Sequence, residues 1–315
     1  MAVLERKHVF IVNPTAGRAM CLDSITTKIR TVMDALGLPY VIEITNAPLH
    51  ATELVRGYMA GGGSCLFYAC GGDGTLNEVA CGAVDFPGAA VTHYPAGTGN
   101  DFIRQFGERS ALFSDLVALA GGREQSVDML QVGQRYCLNV FSTGFDAQVP
   151  ADMRNFKWFS RFGSKMPYNL AVVSSIFKGM GAIYDVYVDG VDYSGEYTII
   201  TAMNGQYYGG GFHPAPDARV NDGLMDILLA KKMGVFGLAK AIGPYSKGQA
   251  EKLGVFTCMR AKSLQVKASK MRPVNLDGEC ASMDSSTVCV RPGILRFVTP
   301  KNLSFDFPFQ KKAQE

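Results

Sequence analysis

The sequence predicts an α/β protein, with an N-terminal doubly wound α/β domain followed by a C-terminal domain built mostly of antiparallel strands as a sandwich. Three observations carry this. Over the first 130 residues, short apolar runs alternate with segments of helical period. Those runs end in clusters of Gly, Asn, Thr or Asp. From about residue 130, strand runs bounded by turn signals take over. At 315 residues the chain is long for one core. The expected division is 1–128, 129–298 and a terminal segment, 299–315.

The elements follow in order. "HVFIV" (8–12) reads as a buried strand, and "SITTKIRTVMDALG" as a helix with Ile25, Ile29, Val32 and Leu36 on its apolar face, stopped by Gly37 and Pro39. "YVIEI" (40–44) is a strand, "LHATELVRGYMA" (49–60) a helix and "CLFYA" (65–69) a strand. The next helix opens on Thr75-Leu76-Asn77-Glu78, a Thr-x-x-Glu capping box. "AAVTHY" (89–94) is the fourth strand and "SVDMLQV" (126–132) the expected fifth. In the second half, 184–205 reads as strand, Asp-Gly turn, strand. Strands follow at 224–232, 263–268 and 286–298, with helices near 166–180 and 233–250.

Composition narrows the function classes. Apolar content of 47% and charged content of 19% exclude a disordered chain. A net charge of +3, with no basic tail or aromatic RNA-binding signature, argues against a nucleic-acid partner. No stretch is expected to serve as a signal peptide or spanning helix. The eight cysteines include no C-x-x-C pair, and the four histidines show no H-E-x-x-H pattern, so neither suggests zinc. Cysteines within apolar runs and no export signal fit the reducing cytoplasm.

The placement of the loops is the functional signal. "NPTAG" (13–17) follows the first strand, "TN" (45–46) the second, "GGDGT" (71–75) the third and "PAGTGND" (95–101) the fourth. In an open parallel sheet, strand carboxyl ends share one crevice, where ligands bind. Glycines let backbone N–H groups approach a ligand closely, and a helix N-terminus favours phosphate. Asp73 and Asp101 would repel a bare anion, but suit a hard cation such as Mg²⁺ lying against phosphates. The pattern therefore points to a nucleotide with its metal. A Walker loop is excluded because "GK" occurs nowhere. The dinucleotide fingerprint fails because Asn77 and Phe102 stand where the third glycine belongs.

Taken together, "NPTAG", "GGDGTLNEVA", "PAGTGNDF" and "NLDGE" (275–279) resemble the bacterial soluble diacylglycerol kinase family of lipid kinases, related to eukaryotic diacylglycerol, sphingosine and ceramide kinases. The resemblance covers the whole chain. It implies an NAD-kinase/diacylglycerol-kinase-like nucleotide domain and a β-sandwich acceptor domain, with the chain's end returning to the first. Carried over by motif, it implies ATP contacts from Asn13, Pro14, Thr15, Ala16, Gly17, Thr45, Gly71, Gly72, Asp73, Gly74, Thr75, Leu76, Asn77 and Thr98. Asp73 and Asp101 would organise Mg²⁺ and water at the phosphates. Glu279 would be the base for the lipid hydroxyl, with Asp73 its rival. "DARVNDGLMDILL" (217–229) resembles the family's structural Mg²⁺ site, with Asp222 and the carbonyls of Arg219 and Leu224. A plain Asn-Asp-Gly turn is the alternative there, as an Asp-Gly hairpin with a solvated Glu279 is for "NLDGE".

A lipid kinase without a spanning helix needs a membrane-facing surface. Residues 154–179 contain no acid and mix basic and aromatic side chains, among them Lys157, Trp158, Arg161 and Lys165. Peripheral contact with the inner face of the membrane is the expectation, and aromatics packed on the sandwich the alternative. The expected activity is phosphorylation of a lipid hydroxyl, diacylglycerol first. Phosphatidylglycerol, a long-chain base or a polyprenol would need the same phosphate machinery. An NAD-kinase-like or sugar kinase and a non-catalytic nucleotide- or lipid-binding regulator are the other readings, and a homodimer is left open.

Overall fold

The computed structural model describes residues 6–17, 22–145, 147–148 and 181–306. The chain divides into two compact units, one comprising Met1–Ala96, Phe106–Val127 and Ile294–Glu315, the other Gly97–Gln105 and Asp128–Gly293. The chain therefore passes between the units after Ala96, Gln105, Val127 and Gly293, where cuts after 128 and 298 are expected. Gly97–Gln105 groups with the second unit because Asp101 is bonded there, and the chain re-enters the first unit at Ile294, ahead of the expected 299. The helix expected at 166–180 and Lys157, Trp158, Arg161 and Lys165 lie outside the described residues.

In the first unit, strands β1 (Lys7–Val12), β2 (Tyr40–Ile44), β3 (Cys65–Gly71) and β4 (Ala89–Pro95) are parallel in the order β2–β1–β3–β4. Helices α1 (Leu22–Leu36), α2 (His50–Ala60) and α3 (Asp73–Ala83) connect them. Right-handed crossovers put α1 on one face and α2 and α3 on the other. β3 is buried along its whole length, which is why it reads as an unbroken apolar run. The neighbour of β4 is the final stretch of β14 (Glu279–Thr299), with Phe297 opposite Val91 in parallel register. The fifth strand expected at 126–132 forms, and it pairs with β14. Those residues fall in β5 (Arg123–Val132), whose second-unit end pairs antiparallel with β6 (Arg135–Cys137).

Two local expectations also change. The buried face of α1 is Ile25, Ile29 and Met33, whereas Val32 is half-buried and Leu36 exposed. The spacing is i, i+4, i+8, so the stripe drifts away from the expected i+7 and i+11 positions. Helix α3 begins two residues before Thr75, with Gly72 as N-cap and no side-chain cap, so the expected capping box is not formed. Glu78 instead accepts the Ala51 N–H at 3.3 Å, and its carbonyl accepts Thr52 Oγ1 at 2.7 Å. Both contacts draw α2 onto α3, where Gly82 has no Cβ to meet Val55.

The second unit contains the short helix α4 (Asp101–Arg104), and α5 (Leu116–Ala120) belongs to the first. Its strands β7 (Val140–Gly144), β10 (Gly195–Met203), β11 (Met225–Lys231), β12 (Phe256–Ala261), β13 (Ser263–Leu276) and the start of β14 form an antiparallel sheet in the order β12–β11–β10–β7–β13–β14. β8 (Ala182–Val188), turned through Asp189-Gly190 into β9 (Val191–Asp192), pairs with both β10 and β13. That double pairing folds the sheet over a core containing Val186, Ile200, Ile227, Leu229, Leu264 and Val288. The opposite faces of β10 and β11 bury Ile199, Met203, Leu228 and Ala230 against Leu238, Ala241 and Tyr245 of α6 (Val235–Tyr245). Burial on both faces explains the continuous apolar runs "TIITAM" and "ILLA".

Candidate functional site

Strand register brings the expected nucleotide loops of the first unit to one level. Val12 lies opposite both Ile44 and Cys70, and Gly71 opposite Pro95. Asn13, Thr45, the Gly71–Asp73 turn and Ala96 therefore leave the sheet side by side at its carboxyl edge. The order β2–β1–β3 places the topological switch between β1 and β3, where open parallel sheets bind ligands.

Asn13 ties this edge together. Its N–H donates to the Cys70 carbonyl at 3.0 Å, its Nδ2 donates to Thr75 Oγ1 at 3.0 Å, and its Oδ1 accepts from Thr15 N and Thr15 Oγ1 at 3.0 and 2.8 Å. Asn13 thus shapes the 13–17 turn and clamps it to the first turn of α3. Pro14 and Thr15 are exposed, while Ala16 is buried with its N–H on the Asn13 carbonyl. Gly17 is at φ +68°, and a Cβ there would lie 2.3 Å from the Ala96 oxygen, so the loop after β1 touches the chain leaving β4. Thr45 N–H donates to Val12 O at 2.9 Å.

The turn after β3 is held from below. The Gly71 carbonyl accepts the Ala96 N–H at 2.8 Å and lies 3.0 Å from His93 Nε2. His93 is wholly buried, and burial lowers its pKa to about 4, so at neutral pH it is the uncharged tautomer donating from Nε2. A Cβ on Gly71 would fall 2.3 Å from Thr75 Oγ1. A Cβ on Gly74 would meet nothing within 4 Å, and Gly74 is exposed. Packing within the protein thus requires glycine at 71 but gives no reason for it at 74. Asp73 is half-buried in the first turn of α3. Thr75 and Asn77 are buried, Asn77 Oδ1 accepting from Cys81 Sγ at 3.7 Å. Leu76 is fully buried and its N–H donates to Gly72 O at 3.0 Å, so its side chain serves the core.

In the second unit, Asn100 (φ 52°) folds the start of α4 by exchanging bonds with Gly97, and Thr98 is exposed. Asp101 is 4% exposed. Its Oδ2 accepts the Gly210 N–H at 2.7 Å and its Oδ1 lies 3.2 Å from Arg104 Nε, while Arg104 Nη2 donates to Gly99 O at 2.6 Å. Asp101 therefore anchors the loop of three left-handed glycines, 209–211. Tyr207 and His213 stack across that loop with centroids 3.9 Å apart.

Glu279 is exposed and opens β14 beyond the Asp277-Gly278 turn, paired with Leu276. Both turn residues have positive φ, 49° and 92°, as a two-residue primed hairpin requires. The Asp277 carboxylate accepts N–H groups of Leu138, Asn139 and Val140, the last at 2.7 Å. Sequence reading missed this role because the partners lie about 140 positions earlier in the chain.

At the expected structural metal site, Arg219 is exposed, Leu224 N–H donates to Asp222 Oδ1 at 3.1 Å, and the Asp222 carboxylate is ion-paired with Arg260. Asp226 lies 3.7 Å from Arg260 Nε, and burial, with Asp222 and Asp217 nearby, raises its pKa to about 6 despite that cation. Among the described residues no group of three or more His, Cys, Asp or Glu side chains is placed to hold a metal. Asp128, also missed, holds this loop: it accepts from Gly223 and Gly293 at 2.6 and 2.7 Å. A lone acid inside the apolar run "SVDMLQV" was the available signal.

The family model described as the diacylglycerol kinase catalytic domain matches residues 7–132, and that described as the YegS C-terminal NAD kinase beta sandwich-like domain matches residues 139–299. The chain is 29% identical to a "Probable lipid kinase YegS-like" of Pseudomonas fluorescens, covering 89% of this chain and 93% of the relative. It is 31% identical to one of Pseudomonas putida, covering 79% and 82%. Its fold is similar to the crystal structure of a diacylglycerol kinase from Bacillus anthracis str. Sterne, with TM-score 0.68, 18% identity, and 95% and 98% of the two chains covered. A catalytic and a sandwich domain matched in order over nearly the whole chain leave one assignment: it belongs to the family of lipid kinases that join a diacylglycerol kinase catalytic domain to a YegS-type C-terminal domain.

Proposed function

We propose that the protein transfers the γ-phosphate of ATP, with Mg²⁺, to a lipid hydroxyl, and that the hydroxyl is that of diacylglycerol, giving phosphatidic acid. The observation that carries this reading is the open Gly74 at the N-terminus of α3, on the sheet edge where Asn13, Thr45, Gly71 and Ala96 emerge together. Amides of a helix's first turn and a missing Cβ suit phosphate oxygens. The donor chemistry fits Mg²⁺ at Asp73, a hard carboxylate in the first turn of α3, whereas the Asp101 and Asp222 carboxylates are engaged by Arg104 and Arg260. Bound Mg²⁺ would supply neutralisation of charge on the phosphates.

In the proposed step, the lipid oxygen forms a bond to the γ-phosphorus, the bond from that phosphorus to the β–γ bridging oxygen breaks, and ADP leaves with the electron pair. Glu279 takes the hydroxyl proton. A carboxylate is a weak base toward an alcohol, so alignment supplies most of the rate. Asp101 contributes by fixing the 209–211 loop, and Asn13 by holding the phosphate turn.

The test is transfer of label from γ-labelled ATP with Mg²⁺ to a panel of lipids in mixed micelles, with NAD and hexose phosphates as controls. Label in diacylglycerol alone, reduced at least about 100-fold by Asp73→Asn and by Glu279→Gln, is the expected result. Label in another lipid would keep the mechanism and replace the substrate. Label in NAD or sugar, or none while ATP still binds, would sink the reading.

A further inference from the structure

We infer that the outward face of α6 is the surface by which the protein docks on an anionic membrane. The inference rests on the lipid-kinase reading, which requires the protein to reach an acceptor embedded in a bilayer. An ordinary surface helix opposes its buried stripe with polar residues. α6 does not. Its buried stripe is Leu238, Ala241 and Tyr245, yet Phe236 and Ala239 stand on the far side, and Val235 and Ile242 are exposed along the flank. Phe236 is 86% exposed, the largest exposure of any described apolar side chain of its size, and Val235 and Ile242 are 45% and 40% exposed. Lys240 is the helix's only charged residue and follows Phe236 by one turn.

The charge around this face selects the occupant. From Ile227 to Ala250 the chain has no acidic residue, but it has Lys231, Lys232, Lys240 and Lys247. Lys232 is neutralised by Glu196 at 2.7 Å. The other three are exposed, and among the described residues none is in an ion pair. The nearest acid along the chain is Glu251, which is exposed beyond the helix. A protruding phenylalanine flanked by aliphatic side chains and a lysine on the same side is how an interfacial helix meets headgroups: apolar groups enter the acyl boundary while ammonium groups face anionic lipid.

The experiment is co-sedimentation of the full chain with vesicles of phosphatidylglycerol and phosphatidylcholine, and with phosphatidylcholine alone, without ATP. The wild type is expected to bind the anionic vesicles. Phe236→Ser with Ile242→Ser, and separately Lys240→Glu with Lys247→Glu, should lower the partition coefficient by about tenfold or more. All four side chains are exposed, so the variants should keep the wild-type unfolding temperature. They should also keep its kcat on a dispersed short-chain diacylglycerol, while KM for the vesicle-embedded lipid rises. No vesicle binding by the wild type, or equal binding by the variants, overturns the inference. A Phe236 variant whose gel-filtration mass halves while vesicle binding is unchanged also overturns it, and gives the face to a second copy of the chain. Failure of the kinase reading is seen separately: no label in any lipid, with vesicle binding still dependent on Phe236, removes that reading and leaves the docking surface.

Discussion

Gly71 and Gly74 stand three residues apart and are glycine for different reasons. At 71 a methyl group would collide with the Thr75 side chain, so Gly71→Ala should destabilise the fold by about 1–3 kcal/mol in urea unfolding. At 74 the same group meets nothing and the backbone is already helical, so Gly74→Ala should leave stability unchanged or raise it by up to about 1 kcal/mol. Its effect should fall on ATP, with the dissociation constant by calorimetry rising at least about tenfold. Unchanged ATP affinity would place the nucleotide elsewhere. Asp101 offers a third contrast. Asp101→Ala strands the Gly210 N–H and the Arg104 guanidinium, and a loss of about 1–3 kcal/mol is expected, which Asp101→Asn partly restores by keeping an acceptor. Equal stability of all three proteins would show that the carboxylate has no anchoring role.

At the scale of elements, local signals were legible where the partner lies close in sequence, and failed where it does not. The Asp-Gly turns at 189–190 and 277–278 were both readable as turns, because they need residues that tolerate positive φ. That the Asp277 carboxylate also holds three backbone amides at the start of β7 was not readable. Asp277→Ala should therefore cost more than a turn substitution, about 2–4 kcal/mol by thermal or urea unfolding, and Asp277→Asn less. A loss below about 1 kcal/mol for Asp277→Ala would reduce the residue to its turn. The Thr75–Glu78 capping box was a false positive for a similar reason. Thr75 is engaged by Asn13, and Glu78 by the start of α2, so tertiary partners took both side chains before they could cap the helix. β7 was missed outright, being five residues long and ended by Gly144 at φ 92°, packed on Thr198.

Two buried histidines give the whole molecule a predictable response to acid. Burial lowers both His8 and His93 to about 4, so the folded state resists protons that the unfolded chain accepts at ordinary histidine pKa. Between pH 6.5 and 4 the unfolded state binds more protons, and stability falls as pH falls through that window. For His93 the loss between pH 7 and 5 should be about 2 kcal/mol. His93→Gln, which keeps a donor toward the Gly71 carbonyl, should show a pH 7 to pH 5 decrease in urea-unfolding free energy smaller by that amount. An identical decrease in both proteins would mean that His93 titrates normally. Among the described residues no helix is long and apolar enough to cross a membrane.

By itself the sequence determined the fold class, the order of the parallel strands' loops and the glycine-rich character of those loops. These depend on hydrophobic period and on glycine's freedom of φ, which act over a few residues. It also carried the motifs that mark the lipid kinase family. Only the tertiary structure decided that β14, from the far end of the chain, is the neighbour of β4 in the first unit's sheet. It also decided that Gly97–Gln105 groups with the second unit, that Asp101, Asp128 and Asp277 anchor loops, and that α6 keeps an apolar face uncovered. Each of these depends on which distant backbone amide or side chain arrives beside a residue. That is settled by the closing of the whole chain, and periodicity does not encode it.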